Sequence, residues 1–375
     1  MEYRAIEKLG IQTSLLGFGC MRFPTLENGK IDETEAERMI DKAIADGVNY
    51  IDTAYPYHNG ESEPFTGRVL KKYDRSSYYL ATKLPCWEIK TLDDAKEMFE
   101  KQLARLDHDY VDFYLLHALD RSKWDNMREL GVVEFCEELK AQGRIKYLGF
   151  SFHDDYPVFE EIIKYRDWDF CQIQYNYMDT DEQAGDKGYE LAKELGIPVV
   201  IMEPIKGGSL AVLPEDINAM FLEQDPSAST ASWAMRWIAN HDNVKVVLSG
   251  MSTYDQVLDN LNTYSPFVPL SEKELEVVEN VANTIKARVK NGCTGCRYCM
   301  PCPAGVDIPR NFSIWNQHSM YLNDGHTRWA YFTSFDEKER AINCVECGLC
   351  EAVCPQQIAI RDDLKRVTSD LSMLR

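Results

Sequence analysis

The sequence predicts a parallel (β/α)8 TIM barrel followed by a small, mainly helical domain rich in cysteine. Two observations carry this. From residue 10 to about 265, short β-rich runs alternate with longer amphipathic stretches, and eight such pairs match the usual size of a barrel. Beyond residue 292 the alternation stops, and eight of the chain's 12 cysteines fall between residues 293 and 354. A chain of 375 residues accommodates one large domain and one small one.

The expected strands are Ser14–Phe18, Val48–Asp52, Tyr78–Lys83, Val111–His117, Tyr147–Ser151, Phe170–Tyr175, Pro198–Glu203 and Val244–Ser249. Helical patterns lie between them at Glu33–Ala45, Leu92–Leu106, Val132–Gln142, Gly188–Leu195 and Ser227–Asn240. Asp32 and Asp225 are placed as N-caps, and Gly47, Gly143 and Gly196 as C-terminal stops. Residues 119–131 read as a long loop. A doubly wound open sheet is the alternative, but its first turn is usually Gly-rich. Here the first strand runs into Gly17-Phe18-Gly19-Cys20, which is not G-x-G-x-x-G. A last helix, Glu272–Lys290, runs from a Ser271 cap to Asn291-Gly292. That pair divides a barrel of residues 1–291 from a domain of residues 292–375. The spacer between the cysteine runs holds Trp315, Trp329, Tyr331 and Phe332, so it reads as short packed helices rather than a linker.

The formal net charge is −20, which argues against nucleic acid or an anionic membrane as a partner. From residue 293 onward nine Lys/Arg stand against ten Asp/Glu, leaving −19 to the first 292 residues. No apolar stretch follows the opening Met-Glu-Tyr-Arg, and no window approaches a membrane span, so neither a signal peptide nor a membrane anchor is expected. Many thiols without an export signal point to the reducing cytoplasm.

Cys293, Cys296, Cys299 and Cys302 form the run C-x2-C-x2-C-x2-C-P, and Cys344, Cys347, Cys350 and Cys354 form C-x2-C-x2-C-x3-C-P. Thiolates three residues apart let a tight loop wrap an iron–sulfur cubane, and the second spacing is that of bacterial two-cluster ferredoxins. Zinc knuckles need only two cysteines each with a longer spacer, and disulfides need an oxidising compartment. Two 4Fe–4S clusters are the expectation. In two-cluster ferredoxins the fourth cysteine of each run ligates the other cluster. Carried over, Cys354 joins Cys293, Cys296 and Cys299, while Cys302 joins Cys344, Cys347 and Cys350. The first run is one residue short before Cys302.

Four polar residues fall where barrel chemistry belongs, at the carboxyl ends of consecutive strands. Asp52 ends the second, Tyr57 follows it, Lys83 ends the third and His117 the fourth. Taken singly, Asp52 suits a turn cap, Lys83 a solvated surface and His117 a hydrogen-bonded core position. Together they suit protonation of a carbonyl as hydride arrives at its carbon. A neighbouring ammonium lowers a phenol's pKa, a carboxylate holds that ammonium, and an imidazole aligns the carbonyl oxygen.

Asp52-Thr-Ala-Tyr-Pro-Tyr57, Ala81-Thr-Lys83 and Tyr114-Leu-Leu-His117 resemble the catalytic tetrad of the aldo/keto reductases over roughly the first 265 residues. The whole chain resembles the subgroup with a C-terminal two-cluster ferredoxin-like domain. The resemblance implies a (β/α)8 barrel, Tyr57 as general acid tuned by Lys83 and Asp52, and His117 as the group that orients substrate. It implies NADH or NADPH, and a small carbonyl or alcohol as substrate. Nucleotide contacts are expected from Gly19, Met21, Ser151, Gln172, Met202, Gly250, Gln256 and Asn260. The family's Asn after Ser151 is Phe152 here, and its stacking aromatic is Met202. Its Lys and Arg for a 2′-phosphate fall on Gly250 and Gln256, neither of them charged, so the expectation leans to NADH. Arg236 and Lys206 are the candidate replacement cations, Arg22 is a candidate cation for an anionic substrate or a cofactor phosphate beside the reading as a solvated surface residue, and a flavin in the same pocket stays open. Hydride moves two electrons and a cluster one, so a ferredoxin-like electron-transfer partner is also a candidate. The remaining cysteines, Cys20, Cys86, Cys136 and Cys171, read as packing residues.

Overall fold

The computed structural model describes residues 1–375. They form two compact units, residues 1–211 with 231–275 and residues 212–230 with 276–375. The second unit thus takes in residues 212–230 as well as the C-terminal segment.

The first unit opens with an antiparallel hairpin, β1 (Tyr3–Ile6) and β2 (Ile11–Ser14), which the sequence reading missed. Eight parallel strands then close a barrel: β3 (Leu16–Gly19), β4 (Tyr50–Asp52), β5 (Tyr79–Leu84), β6 (Val111–Leu119), β7 (Ile145–Phe152), β8 (Phe170–Gln174), β9 (Val199–Met202) and β10 (Val244–Gly250). The order is sequential, and β10 returns to pair with β3. Between strands run α1 (Glu33–Ala45), α2 (Ser62–Leu70), α3 (Leu92–Leu106), α4 (Arg121–Glu129), α5 (Val132–Ala141), α6 (Tyr156–Tyr165) and α7 (Gly185–Glu194). After β9 come α8 (Glu215–Gln224) and α9 (Thr230–Ala239), and after β10 come α10 (Tyr254–Thr263) and α11 (Glu272–Lys286).

Local chemistry sets the helix ends. Asp32 caps α1 by accepting from Glu35 N at 3.2 Å. The helix then buries Ala36, Met39, Ile40 and Ala43, a 3.6-residue stripe. Gly47, Gly143 and Gly196 all take positive φ where their helices stop. Three expectations need correction. Asp225 is not the N-cap of the helix after it; it ends α8, and its carboxylate accepts from Ser227 N at 2.9 Å. Residues 119–131 are not a loop, since α4 occupies most of them, its Asp120 cap bonded to Lys123 N at 2.8 Å. The helix from Glu272 stops at Lys286 rather than Lys290.

Period-two alternation sorts each barrel strand into two faces. One face meets the helices in the main apolar core. The other fills the barrel with Tyr50, Ala81, Phe113, Leu115, Phe170, Val200, Val246 and Leu248. Gly17 makes room in that layer, because a Cβ there would lie 2.5 Å from Val246. Two residues along from that layer, the same inward parity carries Gly19, Asp52, Lys83, His117, Gln172, Met202 and Gly250 at the carboxyl ends.

The second unit contains α8, most of α11, α12 (Ile308–Tyr321), α13 (Asp324–Arg328), a π-helical turn at Trp329–Thr333, α14 (Leu349–Ala352) and α15 (Ile360–Ser372). Its core gathers Val306, Ile308, Phe312, Trp315, Tyr331, Phe335, Leu364, Val367 and Leu371. Trp315 is fully buried and donates to Asp370 at 2.8 Å, whereas Trp329 is exposed. No helix of the chain is long and apolar enough to cross a membrane.

Candidate active site and cluster loops

Asp52, Lys83 and His117 stand on β4, β5 and β6, and Tyr57 opens the short turn Tyr57–Gly60 beyond β4. Lys83 is fully buried, with Nζ 2.6 Å from Asp52 Oδ1, 2.9 Å from Thr53 O and 3.4 Å from Tyr57 OH. The Tyr57 and His117 rings lie 6.2 Å apart, nearly perpendicular. Trp87, four residues past Lys83, sits 5.1 Å from the His117 ring. The sequence reading did not single it out; its signal was an aromatic just beyond a strand's carboxyl end. Three buried polar atoms here have no partner: Asp52 Oδ2, His117 Nδ1 and Gln172 Oε1.

Burial sets the electrostatics. It pushes the Tyr57 phenol above its ordinary value, and Lys83 offsets only part of this. Lys83 acts in the expected direction and lowers the phenol's pKa, while desolvation of the phenolate is the larger influence. Burial alone would discharge Lys83, yet Asp52 and Tyr57 outweigh it and keep the ammonium above its usual range. His117 falls well below its usual value through burial, with Lys83 adding to the effect, so its imidazole is neutral at neutral pH.

The expected nucleotide contacts divide into free and engaged groups. Gln172 has a free oxygen, while its Nε2 lies 3.5 Å from Met202 Sδ. Met21 is exposed on the turn after β3. A Cβ on Gly19 would lie 3.1 Å from Ser249 O, so the two strand ends approach closely there. Ser151 Oγ accepts from Ala118 N at 2.7 Å, pinning the left-handed Ala118 beside His117. Asn260 is buried and donates to Ser249 at 2.9 Å, and Gln256 is bound to Ser252 N at 2.8 Å. Of the three candidate cations, Arg236 is paired with Glu274 at 2.9 Å and Lys206 with buried Asp179. Arg22 makes no ion pair and packs over Gly250, where a Cβ would meet its Cγ at 2.7 Å.

In the second unit the cysteines ring two cavities. One, of about 130 Å³, is lined by Cys299, Cys302, Cys344, Cys347 and Cys350. The other, of about 20 Å³, is lined by Cys293, Cys296, Cys299 and Cys354. The last cysteine of each run therefore stands at the other run's cavity. All eight thiols are free of disulfides, and no three acidic, His or Cys side chains close on a point fit for one ion. Gly295 and Arg297 have positive φ in the first run, and Glu346 and Gly348 have it in the second. Those are the same two offsets from Cys293 and from Cys344, so the runs bend alike. A donor set made wholly of thiols on doubly bent loops fits iron–sulfur cubanes.

Comparison with known proteins agrees. Residues 15–283 match the Aldo/keto reductase family, and residues 292–359 match the 4Fe-4S dicluster domain. The chain belongs to the aldo/keto reductase family and carries a C-terminal 4Fe-4S dicluster domain. Its barrel is that of an oxidoreductase. It is 26% identical over 314 residues to the uncharacterized oxidoreductase YqkF of Bacillus subtilis (strain 168), covering 75% of this chain and 96% of the relative. It is 23% identical over 329 residues to the NADH-specific methylglyoxal reductase of Escherichia coli (strain K12), with coverage of 75% and 96%. Among solved structures, the holo form of aldo-keto reductase AKR11C1 from Bacillus halodurans superposes with a TM-score of 0.63 at 29% identity, covering 75% of this chain and 96% of that one.

Proposed function

We propose that the chain reduces a small carbonyl compound, or oxidises the corresponding alcohol, with a nicotinamide nucleotide at the tetrad. The observation that carries this reading is the buried Lys83 ammonium, 2.6 Å from Asp52 and 3.4 Å from Tyr57 at the strand ends. The bound nucleotide would supply hydride to the carbonyl carbon. Tyr57 gives its hydroxyl proton to the carbonyl oxygen, and Lys83 steadies the phenolate that remains. Asp52 keeps Lys83 charged. Neutral His117 donates one ring N–H to the substrate oxygen and so orients it. Tyr57 is protonated at neutral pH, and Lys83, which lowers its pKa against the larger effect of burial, is the group that eases release of the proton.

Gln172, Ser151, Met202, Gly19, Met21, Gly250, Gln256 and Asn260 are the proposed nucleotide contacts, Ser151 and Asn260 acting through the backbone and strand ends that they hold. NADH is proposed over NADPH, since Gly250 and Gln256 supply no charge and Arg22 alone stands unpaired nearby. A flavin would need the same pocket. Residues 1–291 are the proposed reductase body and 292–375 the proposed cluster domain, in a reducing cytoplasm. Two 4Fe–4S clusters are proposed, ligated in the crossed pattern of the two cavities.

A second reading has support of its own, that the clusters pass single electrons to a ferredoxin-like carrier. Tyr298, Val345, Leu349 and Val353 rim the larger cavity, and each is more than half exposed. Such a rim suits a transient redox partner.

The test is anaerobic purification with assay of iron, flavin and nucleotide, then reduction of a panel of small aldehydes by NADH. Tyr57→Phe should lower kcat at least ~100-fold with nucleotide affinity unchanged. Turnover that survives in Tyr57→Phe would place the chemistry elsewhere, and binding without turnover in the native chain would leave a nucleotide-binding redox sensor.

A further inference from the structure

We infer that Glu63, Gln102 and Arg105 form a buried strut that sets the separation of Tyr57 and Lys83. The inference rests on the reductase reading above. Glu63, on α2, and Gln102, on α3, are both fully buried. Glu63 Oε1 accepts from Thr82 Oγ1 at 2.7 Å and from Gln102 Nε2 at 2.9 Å. Gln102 Nε2 also reaches Lys83 O at 2.9 Å, and Gln102 Oε1 accepts from Tyr114 OH at 2.8 Å. The other Glu63 oxygen accepts from Arg105 Nε at 2.8 Å, and Arg105 donates to Gly60 O. Gly60 closes the turn that Tyr57 opens. One carboxylate therefore ties down both backbones, the strand that bears Lys83 and the turn that bears Tyr57.

Packing makes the strut possible. Gly67 lies one helical turn beyond Glu63, and a Cβ there would clash with the backbone carbonyl of Leu106. The two helices thus meet backbone to backbone, which brings Glu63 within reach of positions 102 and 105. Tyr55 secures the same loop from outside, with its OH 2.7 Å from Lys101 Nζ and its ring 5.0 Å from the Arg105 guanidinium.

A buried carboxylate is costly unless paired and fully hydrogen-bonded, and apolar side chains would join two helices without that cost. What the charge adds is directional hold on two backbone carbonyls. The 3.4 Å contact between Lys83 and Tyr57 lies beyond the usual hydrogen-bond range, so its length is set by what anchors each residue. None of the three strut residues touches the reacting atoms; they are positioning residues.

The test uses the full chain, purified anaerobically, with Glu63→Gln and Arg105→Lys measured beside Tyr57→Phe. Aldehyde reduction is followed at neutral pH as kcat and KM separately, and NADH affinity by fluorescence titration. A slackened Lys83 contact leaves the phenolate less well stabilised, so it slows the proton transfer and spares the binding of substrate and nucleotide. The expected result is kcat about tenfold lower, while KM and NADH affinity stay within about twofold. An unchanged kcat, a loss carried by KM, or an activity loss that only tracks the folded fraction, overturns the strut. If Glu63→Gln fails to fold, Arg105→Lys carries the same prediction, because it keeps the charge and loses only the fork geometry. Full turnover in Tyr57→Phe would instead overturn the reductase reading on which the strut rests.

Discussion

Replacing Asp52 with Asn tests whether Lys83 is held as a buried ammonium. The two side chains are 3% and 0% exposed and 2.6 Å apart. Asn keeps the shape and removes the charge, leaving Thr53 O, at 2.9 Å, as the remaining strong acceptor. Removing one partner of a buried pair costs about 3–5 kcal/mol. The pH dependence identifies the cause. In the native chain burial is the largest influence on Lys83 and lowers its pKa; Asp52 is the largest influence opposing it. In the variant the folded pKa therefore drops below the unfolded value of about 10.4. Between those two values the unfolded chain binds more protons than the folded one, so the variant's stability rises with pH. Its deficit should be greatest on the acid side and shrink by up to about 1.4 kcal/mol per pH unit toward pH 10. Urea unfolding of both proteins at pH 6, 7.5 and 9, followed by circular dichroism, measures this. A deficit below about 1 kcal/mol, or one that does not vary with pH, would show that Lys83 is not carried as a buried cation.

Two further outcomes can be measured directly. Cys347→Ser should leave about one cluster's iron per chain, and adding Cys302→Ser should remove no more, whereas adding Cys354→Ser should remove the second cluster. Iron analysis with electron paramagnetic resonance of the reduced protein separates this crossed pattern from an uncrossed one. Gly67→Ala should destabilise the barrel by about 1–3 kcal/mol or more, since its methyl group meets the Leu106 backbone and not a side chain that can swing aside. A thermal melt within about 1 °C of the native chain would contradict the close approach of α2 and α3.

What the sequence shows follows from physical range. Helices α1 and α3 have the bounds read from their periodicity, because each carries a complete apolar stripe and a capping residue. The positions of Asp52, Lys83 and His117 could be read because a strand's end is a local signal. The N-terminal hairpin was missed because Ile11–Ser14 runs almost directly into Leu16–Gly19, and two short strands read as one. Helix α4 was missed because Arg121–Glu129 is nearly all polar and buries only Trp124 and Met127. The net rise in the Tyr57 pKa depends on how deeply the fold places the phenol, which no spacing reveals. The same holds for Arg236 and Lys206, whose acid partners lie 38 and 27 residues away in the chain. Glu63 and Gln102 sit 39 residues apart and look like ordinary helix-surface residues until the two helices meet.

The interlocked cysteines bear on the order of events during synthesis. The smaller cavity holds Cys293, Cys296 and Cys299, but its remaining cysteine, Cys354, leaves the ribosome only after nearly all of the second run. The larger cavity likewise borrows Cys302 from the earlier run. On the proposed crossed ligation, the larger ring of thiols cannot close before Cys350 is made, nor the smaller before Cys354. Cluster assembly on that pattern waits for the second cysteine run, and a product truncated just before Cys354 would display an open, three-thiol site to the cellular iron supply.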